Sequence, residues 1–149
     1  MQPGDAAETV EQQVSARMER QHLLDRADPP LVWAIVGEAA LRNPVGGPNI
    51  LHDQLIRLLD TEAAHPRLIV QVVPLTAGAH PGLEGPLVLV ARTGESDAAY
   101  LEVQGRGHVV DRADEVAHYG LLYDMLRAVA LPPDASREMI ADCAKEAAP

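Results

Sequence analysis

His80 is the residue whose surroundings most suggest chemistry. It lies within the segment AGAHPGLEGP, residues 77–86, between two strongly apolar runs. Imidazole suits proton transfer near pH 7, so His80 is a candidate general base. The connection is long for a hairpin, and its small residues let another molecule approach the backbone. Two interpretations stay open: the segment forms the rim of a pocket, or it is a plain connection whose backbone His80 hydrogen-bonds.

Glu38 and Arg42 are an acid and a base four residues apart, just after a predicted strand. On one helical turn they would form a surface ion pair worth at most about half a kcal/mol. Alternatively, both side chains point into a cavity, where a carboxylate and a guanidinium would orient a polar ligand.

Tyr100 and Glu102 alternate along a predicted strand and therefore share one of its faces. That face is either solvent-exposed or the inner wall of a pocket. Trp33 lies in a predicted buried strand, where it belongs to the core or lines an apolar ligand cavity. The candidate ligand-binding residues are therefore Trp33, Glu38, Arg42, His80, Tyr100 and Glu102. If the protein is an enzyme, the catalytic candidates are His80, Glu38, Tyr100 and Glu102.

Several known kinds of site have no motif in this chain. The six histidines form no H-x-x-x-H pair, and Cys143 is the only cysteine, so no metal site is expected. The segment NPVGGPN lacks the Lys-Ser/Thr ending of a phosphate-binding loop, and neither G-x-G-x-x-G nor G-x-S-x-G occurs. We therefore expect no cofactor.

Charge and hydropathy limit the partners further. The net charge is −10 and no cluster of basic residues occurs, which argues against nucleic-acid binding. No apolar run approaches the roughly 20 residues that cross a bilayer, and the N-terminus is polar and acidic. We expect a cytoplasmic protein without membrane partners.

The elements that must position these residues follow from apolar periodicity and breakers. The predicted helices cover 6–27, a segment starting near residue 49, 112–130 and 133–146. The predicted strands cover 31–37, 67–75, 86–92, 97–103 and 108–111. Asn49 and Asp111 are the predicted caps of the two middle helices. Together these elements predict one α+β domain over 1–149. Its mainly antiparallel sheet of about five strands lies within 31–111, includes one inserted helix, and has helices before and after it.

Two segments carry a resemblance to a known family. They are E-x-A-L-R-x-P-V-G-G-P (38–48) and Q-V-x-P…A-G-A-H-P-G (71–82). From about residue 14 to 142 the chain resembles the C-terminal, non-DNA-binding domain of the WhiJ-like regulators of actinobacteria. It departs from their usual pattern at Asn43 and Leu87, where arginine and phenylalanine are usual. The resemblance implies a sensory domain for a small molecule or a small protein partner, here expected without its helix-turn-helix.

The leading functional hypothesis is a stand-alone sensory or interaction domain that does not bind DNA. The alternative is a cofactor-free cyclase or isomerase of a natural-product pathway, which would hold its substrate in an apolar cavity. A homodimer is a further expectation. A closed apolar cavity around Trp33 would favour a ligand or substrate, whereas a solid core with an exposed apolar patch would favour a protein partner.

Overall fold

A computed structural model describes residues 7–94, 96–103 and 106–148. Its helices are α1 (Ala7–Gln21), α2 (Glu38–Arg42), α3 (Pro48–Ala64), α4 (Ala113–Val129) and α5 (Pro133–Ala147). Its strands are β1 (Val32–Gly37), β2 (Leu68–Val73), β3 (Leu87–Val90), β4 (Ala98–Val103) and β5 (Arg106–Val110). Two short 3-10 turns, Leu75–Ala77 and Pro81–Glu84, lie between β2 and β3. None of the helices in the described ranges has the length and apolarity to cross a membrane.

The strands form two sheets, so the α+β class is confirmed but the single antiparallel sheet is wrong. β1 and β2 pair in parallel, with Val32 opposite Leu68, while β3, β4 and β5 form an antiparallel sheet in that order. Parallel strands need a long crossover, which α2 and α3 supply. The segment 74–86 then carries the chain to the second sheet. That the whole chain is a single domain stays a prediction.

The core lies between one face of the parallel pair and helices α3 and α5. Its buried members are Leu41, Leu55, Val70, Val72, Ile140, Cys143 and Ala144. Leu55 and Glu62 are the buried residues of α3, on the leucine-rich side that the sequence predicts. The short helix α2, which the sequence did not predict, contributes Leu41. Burial of aliphatic side chains is the main force holding this half of the molecule together.

Along the edge of β2 that faces away from β1, side chains and the turn at Leu131 hydrogen-bond the backbone groups. The backbone N–H of Val70 donates to Glu62 Oε1 at 3.4 Å, and that of Val72 donates to Ser136 Oγ at 3.0 Å. The Val72 carbonyl accepts from the N–H of Leu131 at 2.8 Å, and Ser136 Oγ donates to the Leu131 carbonyl at 3.1 Å. Buried backbone groups must be paired, so these bonds take the place of a third strand, which the described residues do not add to this sheet.

Helix α1 is shorter than predicted. It ends at Gln21, and residues 22–25 continue as tight turns in which each N–H bonds the carbonyl three residues earlier. Residue 6, where the predicted helix began, lies outside the described residues. The proline pair at 29–30 therefore lies well beyond the end of the helix and not directly after it.

Both predicted N-caps are wrong. Gly47 caps α3, with Pro48 as its first residue, and Arg112 caps α4. Gly46 and Gly47 have φ angles of 84° and 109°, a region that favours glycine. The chain turns at these glycines and α3 begins at Pro48, so Asn49 already lies inside the helix and cannot cap it.

Replacing Ser136 by alanine should destabilise the fold. The side chain is completely buried, and its loss leaves the Val72 N–H without an acceptor. We expect the free energy of unfolding to fall by about 1–3 kcal/mol, measured by urea denaturation. Ser15→Ala, on the exposed surface of α1, is the matched control and should change it by less than about 0.5 kcal/mol. Equal effects of the two substitutions would contradict the role assigned to Ser136.

Candidate functional site

Glu38 and the segment that contains His80 meet at the C-terminal ends of the two parallel strands. Glu38 directly follows β1, and Leu75 lies two residues beyond β2. Glu38 Oε2 accepts the backbone N–H of Leu75 at 2.8 Å, and Oε1 accepts from Arg42 Nε at 2.8 Å. Arg42 also forms an ion pair with Glu146. The carboxylate of Glu38 therefore fastens the start of the 75–84 segment to the parallel sheet.

The electrostatics of this cluster favour the charged carboxylate. The backbone N–H of Leu75, and then the guanidinium of Arg42, hold the pKa of Glu38 below its usual value. Glu38 in turn, followed by Glu146, raises the pKa of Arg42. The side chain of Glu38 is only 11% exposed, so solvent screens the pair less than it screens a surface pair. Of the two interpretations, the structure shows the ion pair on one helical turn.

The imidazole of His80 lies beside Gly82 of its own segment, where that segment meets Leu126 of α4. Its Nδ1 is buried and has no hydrogen-bond partner in the described structure. A Cβ atom at Gly82 would lie 3.1 Å from this Nδ1 and 3.1 Å from Leu126 Cδ1. The glycine therefore lets the imidazole fit between the segment and the helix. The expected hydrogen bond from His80 to the loop backbone is absent at this nitrogen.

Trp33 is held by partners from three parts of the fold. Its Nε1–H donates to Gln71 Oε1 at 2.7 Å, and Gln71 Nε2 donates to the carbonyl of Leu131 at 2.7 Å. Tyr123 donates its hydroxyl to the Trp33 carbonyl at 2.6 Å, and the Arg127 guanidinium lies 3.9 Å from the centre of the indole ring. Burial raises the pKa of Tyr123. This cluster joins α4 to the parallel sheet and occupies the groups by which Trp33 would hold a ligand.

Tyr100 and Glu102 belong to the antiparallel sheet, and both are exposed. The ring of Tyr100 lies across Gly107 of β5, where a Cβ atom would overlap it. The structure thus places these two residues on a solvent-facing surface. It brings Glu38 and Arg42 together directly, and Glu38 contacts the segment of His80 through the backbone N–H of Leu75.

The outer face of the antiparallel sheet carries an apolar row that sequence reasoning missed. The register places Val88 opposite Tyr100 and Tyr100 opposite Val109, with exposures of 50%, 39% and 72%. Val90, 44% exposed, lies opposite Ala98. Directly opposite residues in an antiparallel pair point to the same face, so these side chains are neighbours. Because LVLV is apolar at every position, its sequence does not reveal which face is exposed.

Two cavities lie on the other half of the molecule. The first, of about 590 Å³, is an open groove along α3, lined by His52, Asp53, Gln54, Ile56, Arg57, Asp60, Thr61, Ala64 and His65. The second, of about 300 Å³, is lined by Leu24, Pro29, Ala64, His65, Pro66 and Arg67. Trp33 and His80 line neither of them. Within the described residues, no group of three or more His, Cys, Asp or Glu side chains could hold a metal ion.

The site and the fold define an α+β domain with a parallel two-stranded unit and an antiparallel sheet that presents an apolar face. The chain belongs to the family described as "Domain of unknown function (DUF5753)", which matches residues 1–142. No curated protein and no solved structure matches the chain.

The Glu38 cluster should make stability depend on pH. Because folding lowers the pKa of Glu38, its contribution is fully present above the unfolded value near 4.5 and is lost as the pH falls towards the folded value. As the pH falls from about 5 to 3, the Glu38→Gln protein should therefore lose less stability than wild type, as measured by thermal unfolding. Parallel profiles for the two proteins would contradict the assignment.

Replacing His80 by leucine should cost no stability. The substitution removes a buried nitrogen that has no partner, so we expect the free energy of unfolding to stay within about 1 kcal/mol of wild type or to rise. Gln71→Leu is the matched control, because it breaks two hydrogen bonds and should cost about 1–3 kcal/mol. A larger loss for His80→Leu than for Gln71→Leu would show that the imidazole is bonded.

Proposed function

We propose that this domain is a regulatory interaction module that binds a small protein partner through the outer face of its antiparallel sheet. The observation that carries the proposal is the row Val88–Tyr100–Val109, in which three apolar side chains on neighbouring strands are exposed together. Contiguous apolar surface of this kind marks interaction sites more often than isolated exposed residues do.

The free edge of the sheet supports the same interpretation. β5 is the last strand in the sheet order, and residues 106–109 are exposed along it. An extended segment of a partner can add to such an edge, with main-chain hydrogen bonds giving affinity and alternate side chains giving specificity. Apolar side chains at every second position of that segment would extend the row beyond Val109.

A protein partner fits better than a small molecule. A ligand-binding cavity around Trp33 would need its indole and carbonyl free, and Gln71, Tyr123 and Arg127 occupy them. The alternative function, a cofactor-free cyclase or isomerase, needs the same cavity, so we favour the interaction module. The resemblance to WhiJ-like regulators supports a sensory role, and the net charge of −10 argues against a role in contacting DNA.

The test is whether a substitution on this face abolishes partner binding while a control substitution elsewhere does not. The full chain is co-expressed with each small protein encoded beside its gene, and co-purification is measured for wild type, Val109→Asp and Val45→Asp. Val45, 74% exposed on the loop before α3, is the matched control for adding a charge to an exposed valine. We expect Val109→Asp to abolish co-purification and Val45→Asp to retain it. Retention by both variants, or co-purification of nothing with wild type, would contradict the proposal.

A further inference from the structure

In helix α1, Val10 is half-buried, and no residue from 11 to 21 contributes to the core. Every side chain from residue 11 to residue 21 is exposed, including Val14 at 53% and Met18 at 48%. A helix of fifteen residues is marginal in water without a packing partner. The face that carries Val14 and Met18 therefore needs a surface to cover it.

Two polar contacts hold the C-terminal end of α1 and the turns after it against α3. Arg57 Nη2, in the middle of α3, donates to Gln21 Oε1 at 3.1 Å. His65 Nε2, just after α3, lies 3.2 Å from Asp25 Oδ1. Residues 21 to 25 therefore run alongside α3, from the level of Arg57 to the level of His65. A helix continued straight backwards from Gln21 in this direction would lie beside the N-terminal half of α3, whereas in the structure Val14 and Ile50 are both exposed.

The contact between Gln21 and Arg57 determines which residues of α1 would face which residues of α3. Both helices rise 1.5 Å per residue, so three residues before Gln21 correspond to three residues before Arg57. Counting back from that pair brings Arg17 to the level of Asp53, and Val14 to the level of Ile50. The positions on α1 are 14, 17, 18 and 21, and those on α3 are 50, 53, 54 and 57. Each set has the i, i+3, i+4, i+7 spacing of a single helical face.

We propose that α1 is a strap that closes along this face of α3, with the Gln21–Arg57 contact as its pivot. In the closed arrangement Val14 covers Ile50, which is 52% exposed, and Arg17 pairs with Asp53. The groove of about 590 Å³, which Asp53, Gln54 and Arg57 help to line, is the space that the strap fills.

The chemistry of the two faces is complementary. Apolar side chains meet at Val14 and Ile50, and opposite charges meet at Arg17 and Asp53, so closure buries no like-charged pair. A second contact, between Asp25 and His65, lies beyond the pivot and is also polar. The Thr61 carbonyl, and then the Asp25 carboxylate, raise the pKa of His65, which favours the protonated imidazole at this contact. The strap is thus held at its base while its apolar face stays free to dock.

Disulfide trapping tests the closed arrangement in the full chain. Val14→Cys with Ile50→Cys should form an intrachain disulfide under mild oxidation, because a disulfide requires Cβ atoms about 4 Å apart. The native Cys143 is buried, so it does not compete. The matched control pairs Gln12→Cys, on the opposite side of α1, with Ile50→Cys and should react much more slowly. Equal rates for the two pairs, or disulfides only between chains, would overturn the proposal, the second outcome indicating that another copy covers α1.

Charge reversal provides an independent readout. In the Val14→Cys, Ile50→Cys protein, Arg17→Glu should slow disulfide formation about two- to fivefold, as expected for one exposed ion pair. Adding Asp53→Arg should restore the rate. No change with Arg17→Glu, or no rescue, would contradict the proposed register.

Hydrogen exchange avoids cysteines altogether. Ile50→Asp should speed amide exchange in α1 relative to wild type, because it removes the apolar surface on which the strap docks. Leu121→Asp, on the exposed side of α4, is the control and should leave exchange in α1 unchanged. Unchanged exchange in both variants would also overturn the proposal, and neither result depends on the partner-binding surface of the antiparallel sheet.

Discussion

The fold depends on how the outer edge of β2 is satisfied. A sheet of only two parallel strands leaves half of the hydrogen-bonding groups of each strand without a strand partner, and buried groups of this kind are costly. Glu62 and Ser136 supply acceptors for two of these N–H groups, and Leu131 supplies a donor for a carbonyl. These three residues come from α3, from α5 and from the connection before α5. The same bonds that close the edge therefore hold the two core helices against the sheet.

The connection that contains Leu131 also links this edge of β2 to Trp33, and through Trp33 to α4. Its carbonyl accepts from both Gln71 and Ser136, and Gln71 also binds the indole of Trp33. Tyr123 and Arg127 then fix α4 to Trp33, and Leu126 of the same helix packs beside the segment of His80. Side chains that suggest chemistry in the sequence thus join the elements together. The surfaces left without a partner include the outer face of the antiparallel sheet and the face of α1 that carries Val14 and Met18.

The local elements were largely predictable, and their assembly was not. Apolar runs and breakers locate the five strands because periodicity and proline act over a few residues. They do not say which strands pair, and the parallel pairing of β1 with β2 arises only because α3 crosses back over both. The ion pair of Glu38 and Arg42 was one of two predicted arrangements. The bond from Glu38 to Leu75 was not predictable, because 37 residues separate its partners.

By itself, the sequence determined the α+β composition, the leucine-rich face of α3, the acidic charge and the absence of any known catalytic or metal-binding motif. Each of these depends on residue types at short spacing. Only the tertiary structure decided that Trp33 is half-buried and bonded by its own chain, that His80 Nδ1 is buried without a partner in the described structure, and that Val88, Tyr100 and Val109 share an exposed row. Strands of alternating or uniformly apolar residues have two faces, and which face is covered depends on what packs against the sheet. That choice is made by contacts between residues far apart in the chain, so no local pattern records it.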